Sequence, residues 1–186
     1  MSQRSEQQKR HILVVEDERI VALHTRMVLE DAGYQVSTVS DGRSACEAAQ
    51  ADQSIRLILM DIDLGPHSLD GTDAAACILG GRDLPIVFYT SHDEQEMISR
   101  VKGITRYGYV LKSSGPFVLL EAVTTAFELF AAHQGLKDRN DFIETILENL
   151  PIGLAVNYVD AGTASYINPR FAEIYGWSAD QIRDIS

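Results

Sequence analysis

The chain has 186 residues, enough for one ordinary domain and a remainder rather than two large domains. Asp and Glu number 27 against 16 Lys and Arg, a net charge of −11, which argues against a non-specific nucleic-acid binder, because such a protein needs a basic face to neutralise phosphates. An apolar fraction of 45% excludes wholesale disorder, and two cysteines, Cys46 and Cys77, make neither a disulfide framework nor a zinc set.

Residues 1–10 are polar and read as a tail without the apolar stretch of a signal peptide, and there is no run of 18 apolar residues. The expectation is a cytoplasmic chain with no membrane span and with both thiols buried in a reducing compartment. His11 to Val15 is an apolar run too short for a helix, and it fits a strand buried on both faces. Arg19 to Ala32 carries Ile20, Leu23, Met27 and Val28 at helical spacing, and Gly33 closes it. Tyr34 to Val39 alternates as a strand, Asp41-Gly42 turns, and Arg43 to Ala51 is an alanine-rich helix. Ile55 to Met60 is a strand, Asp70 to Leu79 a helix ended by Gly80-Gly81, and Pro85 to Tyr89 a strand. Asp93 to Val101 reads as a helix, Gly108 to Leu111 as a fifth strand, and Pro116 to His133 as a long helix. Five strands alternating with five helices demand a parallel sheet with right-handed crossovers and helices on both faces. In such sheets the site lies outside the carboxyl ends of the strands.

Those ends carry Glu16, Asp17 and Glu18 after the first strand, Asp61 and Asp63 after the third, Thr90 and Ser91 after the fourth, and Lys112 after the fifth. Taken singly each has an ordinary role: an acid after a strand caps a helix, a threonine makes a turn, a lysine is solvated. Together they are coherent. Carboxylates a few ångströms apart repel by about 4 kcal/mol at an effective dielectric near 20, so some stay protonated or a cation sits among them. An all-oxygen set without His or Cys favours magnesium or calcium. A lysine and a hydroxyl opposite the acids suit an anionic, oxygen-rich group, such as a phosphoryl group carried on a carboxylate.

The segments VVEDE (14–18), LILMD (57–61), IVFYTS (86–91) and GYVLK (108–112) resemble the receiver domain of the response regulators of two-component signalling, over residues 10–134. The resemblance implies a flavodoxin-like α/β fold with strand order 2-1-3-4-5, the doubly wound order that this family shares with flavodoxin. It implies that Asp61 takes a phosphoryl group from phosphohistidine on a histidine kinase or phosphotransfer protein. It further implies that Asp17 binds a magnesium ion with help from Glu16 and a backbone carbonyl of Asp63. Thr90 would be the switch hydroxyl, Tyr109 the switch aromatic (otherwise a tyrosine packed on the last strand), and Lys112 a contact to the phosphoryl group. The chain departs from the family pattern in three places. Ser113 and Ser114 stand where proline follows the lysine, so a trans bond is expected there. The loop after Asp61 reaches Gly71 about two residues late and has Gly65 where proline is common, and Ser91 replaces an alanine. His92 reads as an exposed loop histidine rather than a base, and His24 and His133 as ordinary helix residues.

Beyond Gly135, which weakens the long helix, Leu136, Asn140, Ile143, Leu147 and Leu150 recur at steps of 4, 3, 4 and 3. This stripe suits a linker helix over residues 135–150, packed on its own domain or in a parallel homodimer with Asn140 fixing register. ILENLPIGLAV (146–156), TASYINPRF (163–171) and YGWSADQI (175–182) resemble the start of a PAS sensor domain. The resemblance implies strands over Ile152 to Tyr158 and Ala164 to Ile167, a helix from Asn168-Pro169, and Phe171 and Tyr175 facing inward. The resemblance runs from Asp141 to Ser186, with the truncated domain itself over residues 151–186, and is about half of what a PAS domain needs, so the chain is expected to be a piece of a longer protein, a sensor histidine kinase in one reading; no haem or flavin ligand is assigned. Two rival functions stay open: a magnesium-dependent phosphohydrolase with an aspartate nucleophile, suggested by Asp61-Ile62-Asp63, and a receiver-like binding module that is never phosphorylated.

Overall fold

The computed structural model describes residues 10–65, 69–91, 104, 107–157 and 164–176. It divides into two compact units, residues 1–131 and 132–186, a few residues before the expected boundary at Gly135.

In the first unit, strand β1 (His11–Val15) is flanked by β2 (Gln35–Val39) and β3 (Ile55–Met60), followed outward by β4 (Ile86–Thr90) and β5 (Tyr109–Leu111). All four pairings are parallel and the order is 2-1-3-4-5. Alternation along each strand sends side chains to opposite faces, and each face has its own core. Leu13, Val15, Ile58, Met60, Ile86 and Phe88 pack on helices α2 (Gly42–Ala51) and α3 (Gly71–Gly81) through Ala45, Ala49, Ala74, Ala75 and Ile78. Ile12, Val14, Leu57, Leu59, Val87 and Tyr89 pack on α1 (Arg19–Asp31) and α4 (Gly115–Asn149) through Leu29, Leu119, Val123, Ala126 and Phe127. Asp41 and Asp70 cap α2 and α3, accepting hydrogen bonds from Ser44 N and from Thr72 N and Asp73 N. The helix expected over Asp93 to Val101 lies outside the described residues.

Four expectations are corrected. On α1 the buried face is Thr25 and Leu29, with Val21 and Val28 beside them; Ile20, Leu23 and Met27 are exposed. A second set at helical spacing, Val21-Thr25-Val28-Leu29, turns that face to the sheet instead. Gly80 and Gly81 belong to α3, which ends at Arg82, and Cys77 on that helix is exposed while Cys46 is buried. Finally, α4 is one helix of 35 residues: Gly135 does not interrupt it, because glycine weakens a helix without removing a backbone hydrogen bond. By length and composition α4, with the turn before it, is apolar enough to cross a membrane; Leu119, Val123, Ala126 and Phe127 of its first half are buried in the core just described.

In the second unit β6 (Ala155–Asn157) pairs antiparallel with β7 (Ala164–Ile167), and α5 (Pro169–Tyr175) follows. Asn168, fully buried, organises it. Its Oδ1 accepts from Leu154 N (2.8 Å) and Phe171 N (3.0 Å), and its Nδ2 donates to Leu147 O (3.0 Å) and Ile152 O (2.9 Å). The sheet is shorter than expected, since Ile152 is exposed and β6 begins only at Ala155. Tyr175, expected inward, is exposed, and its ring lies 4.4 Å from that of Phe171.

Candidate functional site

Backbone bonding carries the sheet one residue past its strand ends and thereby fixes the acids. Glu16 N donates to Val39 O and Asp61 N to Val15 O, both at 3.0 Å. The carboxylate oxygens of Glu16, Asp17 and Asp61 converge within 4.8 Å of one another; Glu16 and Asp61 are buried and Asp17 is exposed. Lys112, placed by β5, reaches into this group: its Nζ lies 2.7 Å from Asp61 Oδ2 and 2.7 Å from Glu16 Oε2. Asp61 Oδ1 accepts from Ile62 N at 2.8 Å. Asp17, Glu18, Asp61, Asp63, Gly65, Ser91 and Lys112 line an open cavity of about 380 Å³ above the cluster.

Among the described residues, one ammonium stands against these three carboxylates. The protein's answer is visible at Glu16. Burial, reinforced by the Asp61 charge and opposed by Lys112, pushes its carboxyl up to about 7. Burial works against the Lys112 ammonium, yet hydrogen bonds from it to Asp61 and Glu16 carry it above its ordinary value. Glu16 Oε1 is buried with no hydrogen-bond partner among the described residues, a costly condition that a cation would relieve. Oxygen-only donors, three carboxyl groups against one ammonium and an orphaned carboxylate oxygen all fit a hard divalent ion such as magnesium.

Thr90 ends β4, buried, beside the cavity-lining Ser91. Tyr109 opens β5, 37% exposed. Asp63 lines the cavity, but its side chain is not part of the converging group, and His92 lies outside the described residues. The Lys112–Ser114 segment is a 3₁₀ turn leading through Gly115, at φ +83°, into α4, and no cis peptide bond occurs among the described residues. Two glycines that the sequence marked only as loop variants turn out to touch the acids. A Cβ on Gly65 would sit 3.3 Å from Asp17 Oδ2, and one on Gly71 would collide with the Asp61 carbonyl. Gly71 N also donates to Ile62 O at 2.9 Å, so the loop after Asp61 is pinned where it returns. The second contact of Lys112, to Glu16 beside Asp61, was likewise not legible from spacing.

Residues 12–124 match the family model of the response regulator receiver domain. The chain belongs to the response regulator receiver family. After this receiver domain, residues 141–186 match a PAS domain model. The receiver is 36% identical to the N-terminal domain of a response regulator/sensory box/GGDEF three-domain protein from Carboxydothermus hydrogenoformans, with a TM-score of 0.62 over 67% of this chain and 98% of that one. It is 32% identical to the signal receiver domain of a modulated diguanylate cyclase from Desulfovibrio desulfuricans G20, with a TM-score of 0.60 over 66% of this chain and 97% of that one. Among curated relatives, the transcriptional regulatory protein PdtaR of Mycobacterium tuberculosis is 29% identical over 65% of this chain and 58% of its own length. The CAI-1 autoinducer sensor kinase/phosphatase CqsS of Vibrio cholerae is 29% identical over 62% of this chain and 17% of its own. The chain thus spans little more than half, or less, of these curated relatives. Receiver domains as a family bind magnesium through an acidic pocket, and the Glu16–Asp17–Asp61 group is the acidic cluster of this one.

Proposed function

We propose that this receiver domain accepts a phosphoryl group on Asp61 from a phosphohistidine of a histidine kinase or phosphotransfer protein, and passes the resulting change to the PAS segment and whatever output follows it. The observation that carries the reading is the contact of Lys112 Nζ with Asp61 Oδ2 inside a three-carboxylate cluster at the strand ends. A carboxylate oxygen of Asp61 forms the new P–O bond while the donor's N–P bond breaks; the electron pair returns to the imidazole nitrogen. Glu16, Asp17, Asp61 and the Asp63 backbone carbonyl would hold magnesium. When bound, that ion offsets the charge of the phosphoryl oxygens against the neighbouring acids. Lys112 shifts from the bare carboxylate to a phosphoryl oxygen, and the Thr90 hydroxyl supplies a further hydrogen bond. Tyr109, exposed at the start of β5, turns inward as Thr90 moves.

Two surfaces supply partners. Ile20, Leu23 and Met27 form an exposed apolar stripe on α1, the helix that begins three residues after Glu16, and this stripe suits a donor protein docking over the site. Leu136, Asn140 and Ile143 lie exposed on α4 and suit a second copy of this chain in a parallel coiled coil. A sensor kinase among the relatives supports a histidine kinase as the longer protein.

Calorimetric titration of beryllofluoride with magnesium tests the site. One equivalent binding to the wild type, and none to Asp61→Asn or without magnesium, is the expected result. Absence of binding to the wild type would replace this reading by a receiver-like module that is never phosphorylated.

A further inference from the structure

The molecule's two cysteines stand on either side of the seam between α2 and α3. Small residues bring these helices close: a Cβ on Gly42 would lie 3.0 Å from the Ala74 Cβ. The Cys46 Sγ lies 3.7 Å from Ala74 O, and Cys77 stands one turn further along α3, near enough to raise the pKa of the Cys46 thiol. Cys46 is buried and Cys77 is exposed. We propose that Cys46 and Cys77 are a redox pair, which closes to a disulfide between α2 and α3 when the chain meets a peroxide.

The chemistry proceeds in two steps. The Cys77 thiolate attacks one oxygen of hydrogen peroxide, the O–O bond breaks, and the leaving hydroxide takes up the thiol's proton to give water and a sulfenic acid on Cys77. The Cys46 sulfur then attacks the Cys77 sulfur, the S–O bond breaks, and the departing hydroxide leaves as water with the Cys46 proton. Two thiols and one peroxide become one disulfide and two waters; sulfur is oxidised and peroxide oxygen reduced. The order is set by surroundings. Burial first, and the adjoining Cys77 second, push the Cys46 thiol up to about 11, so Cys46 keeps its proton and is shielded from solvent. Cys77 is the thiol that peroxide reaches, and Cys46 is the resolving partner. The bond would join α2 to the helix whose first residue, Gly71, seats against the Asp61 carbonyl.

The test is mass spectrometry of the intact 186-residue chain after brief hydrogen peroxide, with non-reducing peptide mapping. Expected is loss of two hydrogens, reversed by dithiothreitol, and a cross-linked peptide pair containing Cys46 and Cys77. Cys46→Ala should accumulate a dimedone-reactive sulfenic acid at Cys77, whereas Cys77→Ala should leave Cys46 unmodified. Oxygen adducts on wild-type Cys77 without the cross-link, a disulfide between two chains, or no modification at all would each overturn the proposal. Circular dichroism of both variants separates these outcomes from a loss of fold.

Discussion

Lys112 is bonded to two acids at once, and that double contact sets what its removal does. In Lys112→Met, Glu16 and Asp61 stay buried without their counter-ion. Breaking a buried pair from one side costs about 3 kcal/mol. Thermal unfolding in magnesium-free buffer should register a loss of that order, and added magnesium should restore more stability to the variant than to the wild type. Gly71 is the second sensitive residue. Gly71→Ala places a methyl group onto the Asp61 carbonyl, so the loop must shift, at about 1–3 kcal/mol for such overpacking. Its expected signature is a lower Tm together with slower acquisition of phosphate. An alanine variant with unchanged Tm would show that the loop yields freely. That Asp17, Asp61, Thr90 and Lys112 stand at or just past strand ends was legible in the sequence, because a parallel sheet brings the carboxyl ends of its strands to one rim. Gly71's role was not, since it depends on a backbone approach at the far end of a loop whose path has no sequence signature. Nor was Cys77's exposure, which turns on how α3 rotates about its axis.

At the scale of elements, the strands followed from short apolar or alternating runs and their order from the family resemblance, while helix ends and helix faces followed from neither. Gly80-Gly81 looked like a stop, yet the stop is Arg82, whose extended backbone ends α3 and whose guanidinium donates to the carbonyls of Ala49, Asp52, Gln53 and Ile55 at 2.6–3.0 Å. Those long-range acceptors cannot be read from spacing along the chain. Asp41, by contrast, was recognisable as part of a turn and proves to be the N-cap of α2. Bonds from the Ser44 backbone and hydroxyl hold its carboxyl below the ordinary value of 3.8. A depressed folded value means the contribution is present above the ordinary value and is lost as pH falls through the lowered one. Asp41→Ala should therefore cost about 1 kcal/mol at neutral pH in denaturant unfolding, with the difference from wild type shrinking on the acid side. Gly135→Ala gives a clean test of the continuous α4. Nothing lies within 4 Å of the added methyl, so the variant should gain about 1 kcal/mol in local helix stability, read as slower hydrogen exchange around residue 135. Unchanged or faster exchange there would contradict a single uninterrupted helix.

At the scale of the whole molecule, a receiver and a PAS segment share one helix, since α4 begins in the first compact unit and ends in the second. Exposed Leu136 and Ile143 on that helix predict a dimer by sedimentation velocity, and Leu136→Glu should shift it to monomer; a wild type that is monomeric throughout removes the second copy from the account. The central claim, however, is that Asp61 is the phosphoacceptor. The most direct measurement is intact mass after treatment with acetyl phosphate and magnesium, for wild type and Asp61→Asn side by side. A single phosphoryl adduct on the wild type and none on the variant is the predicted result. Adducts on both, or steady consumption of acetyl phosphate by the variant as well as the wild type, would contradict it and place the chemistry elsewhere.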